Sequence, residues 1–374
     1  MEITLIFLAA LFLAYTNGSN DNFKGTATLF GSKTLNYNKT LWLCTITTLA
    51  GAIASVFFAE ILVKQFSGKG LVAKEIAISS EFIQAVGIGA GLTVMIATIF
   101  GLPISTTHSL TGALVGGGYA AVGNDVKILV LGEKFFLPLL ISPIIAVILS
   151  YVLYLLFHYF RLKLKINHDT VVLTEKKSSI EVTDTQGQIS MMKSEPPTIN
   201  ISLEQNNHLK QKYQGNILGL SCQKILNFLH IISGGVVCFA RGLNDTPKIA
   251  ALLIAGQVLE IRYNFLIIAI AMVIGGLLHS RKVAHTMSLH ITEMNTGQGF
   301  TANIVTGFLV IFASKLGVPV STTHVSVGSI FGIGAAQKKI RLDVTRNILL
   351  SWVCTLPMAT GFSYILYSLL KGSF

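Results

Sequence analysis

One stretch of this chain occurs twice. Residues 101–118 read GLPISTTHSLTGALVGGG and residues 317–334 read GVPVSTTHVSVGSIFGIG, and nine of the eighteen positions match at a constant offset of 216 residues. The match includes an unbroken Ser-Thr-Thr-His after a shared Gly-x-Pro. A shorter pair precedes it in each half, GSND at 18–21 and GLND at 242–245, each with a lysine three residues after the aspartate, Lys24 and Lys248. Two halves carry the same two motifs in the same order, so the fold must be two copies of one unit.

The unit belongs in a membrane. Hydrophobic residues make up 52% of the chain and charged residues 12%, with a mean hydropathy of +0.65. That composition lies outside the range of soluble globular domains. Crossing a hydrocarbon core of roughly 30 Å takes about 20 helical residues. Apolar windows of that order lie near residues 3–30, 41–63, 137–159, 222–256, where the helix is expected to be interrupted, 262–280 and 345–370. The N-terminal window follows Met-Glu without a basic region and ends in polar NGSND, which does not read as a cleaved secretory signal.

The net charge of +11 comes from basic residues scattered through short loops, a pattern that reads as membrane orientation and not as a nucleic-acid surface. The four cysteines, Cys44, Cys222, Cys238 and Cys354, form no CxxC and imply neither disulfide nor metal site. No cofactor is expected.

Along the chain, polar TNGSNDNFK interrupts the first apolar window, and RGLNDTPK falls at the matching place in the second half. Polar breaks at membrane depth are tolerated where they line a cavity or are buried in protein. Residues 82–100 and 104–122 are apolar around Gly-Leu-Pro, which reads as a re-entrant helical hairpin; its counterpart turns at 317–319. Between the halves, residues 160–224 carry nine Lys/Arg and six Asp/Glu with Pro196-Pro197, the composition of a disordered linker. The expected organisation is a first transmembrane repeat at 1–159, a hydrophilic cytoplasmic linker at 160–221 and a second repeat at 222–374. The fold class is an all-α polytopic membrane protein, each half having spanning helices, a broken helix and a re-entrant hairpin.

Three crossings and a hairpin per half make an odd number, so the second half is expected upside down, an inverted-topology repeat. With both termini outside, Lys33, Lys39, the linker, Arg281, Lys282, Lys338, Lys339 and Arg341 fall on the cytoplasmic side; Lys64, Lys69 and Lys74, partly offset by Glu60 and Glu75, do not. Inversion lets the two hairpin tips meet near the midplane, where transporters of this plan hold substrate.

Pro103 and Pro319 lead into helices that Ser105 and Ser321 are suited to cap. Each first turn then offers backbone N–H groups, the positive end of the helix dipole and the hydroxyls of Thr106, Thr107, Thr322 and Thr323, a donor set for a small oxyanion held between the tips. His108 and His324 could contact the anion, relay a proton or brace the hairpin, and no direct role is assigned to them. Gly112/Gly116 and Gly328/Gly332 form GxxxG spacings that favour close helix packing. Asp21 and Asp245, beside Asn20 and Asn244, are the carboxylates placed in the matched breaks, where each must be neutralised by a cation, a proton or a basic partner. A small cation such as Na⁺ at Asp21 and Asp245 is one reading, and pairing with Lys24, Lys248 or Arg241 is the other. Glu81, Gln84, Glu293, Asn295, Gln298 and Asn303 add polar groups ahead of the hairpins.

These paired Gly-x-Asn-Asp and Gly-x-Pro-x-Ser-Thr-Thr-His motifs closely resemble the inorganic phosphate transporter (PiT) family of sodium- or proton-coupled phosphate symporters. The resemblance covers about 300 residues, all but the linker. It implies that Ser105, Thr106, Thr107, Ser321, Thr322 and Thr323 bind phosphate while Asp21 and Asp245 with Asn20 and Asn244 bind the coupling cation, Na⁺ or H⁺. The family's usual Gly-Ala-Asn-Asp is followed by small residues; here Ser19 and Leu243 replace the alanine, and Lys24 and Lys248 follow, which alters the local charge balance. The chain therefore reads as a secondary symporter and not an enzyme, with inorganic phosphate, a cation and the lipid bilayer as partners, no nucleic acid, and room for a homodimer. Its rivals are a permease for sulfate or another oxyanion and, further off, an anion channel.

Overall fold

In the computed structural model, which describes residues 2–58, 60–68, 70–164, 166, 168–172, 209–214, 216–217, 219–290 and 294–372, long helices dominate. The first half contributes α1 (Glu2–Asp21), α2 (Tyr37–Phe58), α3 (Ser80–Ile99), α4 (Thr106–Val122) and α5 (Leu137–Lys163). The second contributes α6 (Cys222–Ala255), α7 (Ile261–His279), α8 (Thr296–Lys315), α9 (Thr322–Gln337) and α10 (Leu342–Lys371). Eight of these are long and apolar enough to cross a membrane: the six expected spans, plus the first hairpin arms α3 and α8.

The helices are arranged for lipid, with apolar side chains outside and polar ones within. Leu140, Ile144, Ile148 and Val152 on α5, and Val353, Ile365 and Leu369 on α10, are exposed, whereas Thr16, Asn17, Ser19, Asn20 and Asp21 on α1 are buried. Without a hydrophobic drive between helices, small residues and hydrogen bonds hold such a bundle together. Packing between the halves is reciprocal. α1 lies against α3 and α7 as α6 lies against α8 and α2, while α4 packs on α10 as α9 packs on α5.

The last pair of contacts explains the GxxxG spacings. A Cβ at Gly112 would stand 2.5 Å from the Leu356 carbonyl oxygen, and one at Gly116 would strike the Thr360 carbonyl, both on α10. On α9, a Cβ at Gly328 would come within 2.7 Å of the Pro143 carbonyl oxygen, and one at Gly332 would strike Ser150 and Val147 on α5.

Both hairpins turn in the same way. After α3, the N–H of Leu102 bonds the Ala97 carbonyl (2.8 Å) and that of Gly101 bonds Thr98 (3.0 Å); after α8, Val318 bonds Ala313 (2.8 Å) and Gly317 bonds Ser314 (3.2 Å). This double closure needs a residue in the left-handed region, which Gly101 (φ +70°) and Gly317 (φ +69°) supply.

Two expectations change. The interruption in the first half falls after Asp21, where the chain passes through a 3₁₀ turn at Asn22–Gly25 and a short helix at Ala27–Gly31. In the second half α6 runs unbroken through GLND to Ala255 with Pro247 inside it. Proline removes one backbone donor, and the residues around it are buried on every side, so the helix continues past the lost bond. The linker is also not wholly without structure: His168–Val172 (β1) pairs antiparallel with Leu209–Tyr213 (β2), in register His168 to Tyr213. The Tyr213 hydroxyl donates to Asn295 Oδ1 (3.0 Å), tying the end of this ribbon to the start of α8. Residues 173–208 of the linker, Lys69 and Glu293 lie outside the described residues.

The glycine contacts give a test of the packing. Gly116→Val and Gly332→Val each force a side chain into the backbone of a neighbouring helix, at a cost of about 1–3 kcal/mol or more. A lower thermal unfolding midpoint in detergent is expected for each, whereas Gly361→Val on α10, where a Cβ meets open space, should leave it unchanged.

Candidate functional site

Each hairpin runs from its glycine turn through the non-helical Leu102–Ile104 or Val318–Val320 to an extended serine cap. Ser105 Oγ accepts from the His108 N–H (3.1 Å) and Ser321 Oγ from the His324 N–H (3.2 Å), starting α4 and α9. The serines therefore cap, as their position implies, and the first-turn N–H groups of the threonines stay outside the helical ladder. All six Ser-Thr-Thr residues are buried, none more than 4% exposed.

The tips meet head to head. Thr107 Oγ1 donates to the Val320 carbonyl (3.3 Å) and Thr323 Oγ1 donates to the Ile104 carbonyl (2.8 Å), the same bond made in both directions. At the next residue of each helix, the His108 and His324 rings lie 4.3 Å apart, and Trp352 of α10 stacks on His324 at 3.8 Å. The imidazoles thus pack against each other where the tips meet. They also line, with Trp352, Phe331, Leu349 and Pro143, a cavity of about 860 Å³ whose walls are almost wholly apolar.

Five charged side chains close around the tips. Asp21, Asp245, Lys24, Lys248 and Arg241 are each 3% exposed or less. Lys24 Nζ bonds Asp21 Oδ1 and Thr323 Oγ1 and donates to the Ile104 carbonyl (2.5 Å). Lys248 Nζ donates to Thr107 Oγ1 (2.7 Å) and the Val320 carbonyl (2.8 Å) and pairs with Asp245 Oδ1 (3.6 Å). Of the two sequence readings for the aspartates, pairing with the lysines is thus made in both halves. Ion pairs this deep survive only with their remaining groups satisfied, and here carbonyls and threonines of the tips satisfy the ammonium protons.

Asn20 and Asn244 face the hairpins. Asn20 Nδ2 donates to Thr98 Oγ1 and the Leu102 carbonyl (3.0 Å each) while Oδ1 accepts from the Ile104 N–H (3.2 Å). Asn244 Nδ2 donates to Asp245 Oδ1 (3.0 Å) and the Val320 carbonyl (3.2 Å), and its Oδ1 accepts from Ser314 Oγ (3.2 Å). Of the polar groups ahead of the hairpins, Asn295 and Gln298 form a capping box on α8, Gln84 donates to Ser80 Oγ (2.6 Å), Glu81 pairs with Lys371 (3.3 Å), and Asn303 accepts from Thr28 (2.9 Å).

Sequence reasoning missed Asn17. Its Nδ2 lies 3.1 Å from Asp21 Oδ2, 3.0 Å from Thr106 Oγ1 and 3.3 Å from Asp245 Oδ2, so one amide joins both carboxylates to a tip. Its Oδ1 accepts from Arg241 Nη2 (2.8 Å), and Arg241 Nε stands 3.7 Å from Asp245 Oδ2. Asn17 and Arg241 each precede the glycine of their Gly-x-Asn-Asp motif; extending the repeat by one residue would have paired them. The two positions differ, Asn17 in the first half and Arg241 in the second.

A sequence profile described as the phosphate transporter family matches residues 17–363. The chain is 26% identical to a protein of Pyrococcus abyssi named "Putative phosphate permease", over 98% of both chains. It is 26% identical to a Rhizobium meliloti protein named "Probable low-affinity inorganic phosphate transporter", again over 98% of each. Among solved structures, one titled "The sodium-dependent phosphate transporter" superposes with a TM-score of 0.76 over 100% of both chains at 22% identity, a likeness of fold.

Arg241→Ala removes the donor to Asn17 and the charge beside Asp245. Breaking a buried charge network of this kind costs roughly 3–5 kcal/mol. The expected outcome is a large fall in the unfolding midpoint, and Arg241→Lys should not restore it, because a point charge cannot span Asn17, Asn22 and Asp245 as the planar fork does.

Proposed function

The chain belongs to the phosphate transporter family, and from that premise we propose that it is a secondary active symporter of inorganic phosphate coupled to a cation, sodium or proton. The observation that carries this reading is the reciprocal meeting of the two Ser-Thr-Thr tips, each opposed by an ammonium from the unit's other motif. Two helix N-termini aimed at one point, four threonine hydroxyls and two ammonium groups make a donor-rich, cation-rich space suited to a tetrahedral oxyanion.

In this mechanism phosphate enters between the tips, and Thr107 and Thr323 turn their hydroxyl protons from the opposing carbonyls to its oxygens. Thr106, Thr322 and the first-turn N–H groups complete the shell, while Ser105 and Ser321 hold the helix ends in place. A cation opposite Asp21 and Asp245, with Asn20 and Asn244 setting the hairpin against them, offsets the added negative charge. Coupling follows because either ion alone leaves uncompensated charge at low dielectric. The six residues are buried, so loading requires the hairpins to part; inverted halves that rock about the tips would open them to one side at a time. The bilayer orientation with both termini outside and the linker cytoplasmic follows the basic loops.

Radiolabelled phosphate uptake into proteoliposomes tests the reading. Accumulation driven by a sodium or a proton gradient is expected, with arsenate competing and sulfate not. Equilibration without a gradient would point to a channel, and sulfate competition to a broader permease. Thr107→Val and Thr323→Val each delete a hydroxyl that the bound anion needs and should lower uptake about 10-fold or more, as the loss of a hydrogen bond to a charged group of roughly 1.5–3 kcal/mol implies.

A further inference from the structure

The two lysines are placed as a bound cation would be. A primary ammonium has three N–H donors and no acceptor. In both halves its partners are one carboxylate oxygen, one backbone carbonyl and one hydroxyl: Asp21, Ile104 and Thr323 for Lys24, and Asp245, Val320 and Thr107 for Lys248. A small hard cation takes the same oxygen set. Each ammonium nitrogen therefore stands against the carboxylate at which the sequence would seat sodium, and it does so twice, at positions related by the repeat.

Charge points the same way. The groups facing the two lysines are Asp21, Asp245 and Arg241, with the imidazoles of His108 and His324 within electrostatic reach. Counted formally, three basic side chains against two carboxylates give the site a charge of +1 before any ion arrives. At low dielectric a further monovalent cation meets repulsion there and an anion meets attraction.

We propose that Lys24 and Lys248 are built-in counter-cations that stand in the place of a coupling sodium, so that this transporter moves phosphate without sodium and draws on the proton gradient. The ammonium groups are tethered, so they neutralise Asp21 and Asp245 when the anion has left and contribute donors to it when it is bound. This inference rests on the phosphate reading for its substrate but not for its claim about sodium.

The test has two arms on the full-length purified protein. Radiolabelled sodium binding in detergent is measured first, because it needs no substrate. The wild type is expected to show no saturable binding, and saturable binding would overturn the proposal. Uptake into proteoliposomes is then measured with sodium replaced by choline: an unchanged rate, with accumulation under a proton gradient in sodium-free buffer, is expected, and stimulation by sodium of about tenfold, equivalent to roughly 1.4 kcal/mol, would overturn it. The double variant K24S/K248S empties both ammonium positions and keeps the oxygens, so it should gain saturable sodium binding; a folded double variant that binds none would overturn the proposal. If no gradient drives phosphate uptake by the wild type, the phosphate reading falls while the binding arm still decides the role of the lysines.

Discussion

Two carboxylates buried in the middle of a membrane protein set the terms for everything around them. Asp21 and Asp245 are almost fully removed from solvent, and an unpaired charge in such surroundings is too costly to keep. The chain answers with three cationic side chains, an amide and a pair of threonines, each held by helices that are themselves fixed by glycine contacts. The hairpins can end inside the protein because their last carbonyls are taken up by these groups. Ile104 and Val320, which no helix bonds, receive the lysines and the opposing threonines. Charge neutralisation and backbone satisfaction are accomplished by the same atoms.

Much of this was legible in the sequence because the unit is repeated. One Ser-Thr-Thr after a Gly-x-Pro turn reads as an ordinary helix cap, and the structure shows that Ser105 and Ser321 are such caps. Two copies in matched apolar hairpins said more, namely that the tips would meet, as Thr107 and Thr323 do. The glycine spacings likewise predicted close helix packing, and the hairpin turns fell where Gly101 and Gly317 put them.

What the sequence did not reveal has physical reasons. Asn17 looked like one polar residue among several at the end of a helix, since nothing in a linear pattern shows that an amide will lie between two carboxylates contributed by different halves. The polar RGLNDTPK stretch argued for a broken helix, but α6 is buried throughout residues 240–253 and continues through it. The linker's polar composition concealed β1 and β2, whose partners are separated by 36 residues, 173–208. The lysines were visible as departures from the family's motif, yet their reach to the opposite tip, across about 300 residues of chain for Lys24 and Thr323, depends on tertiary structure alone.

The crossed attachment of the lysines also constrains how such a gene can change. Lys24 is tied to a threonine encoded in the second repeat and Lys248 to one encoded in the first. An alteration in either motif is therefore felt at the other copy's tip. Compensating changes in descendants should run diagonally, between positions 24 and 323 and between 248 and 107, and not within a single repeat. The two repeats thus form one unit of heredity, in which a half that lost its motif would leave the other half's lysine without its threonine.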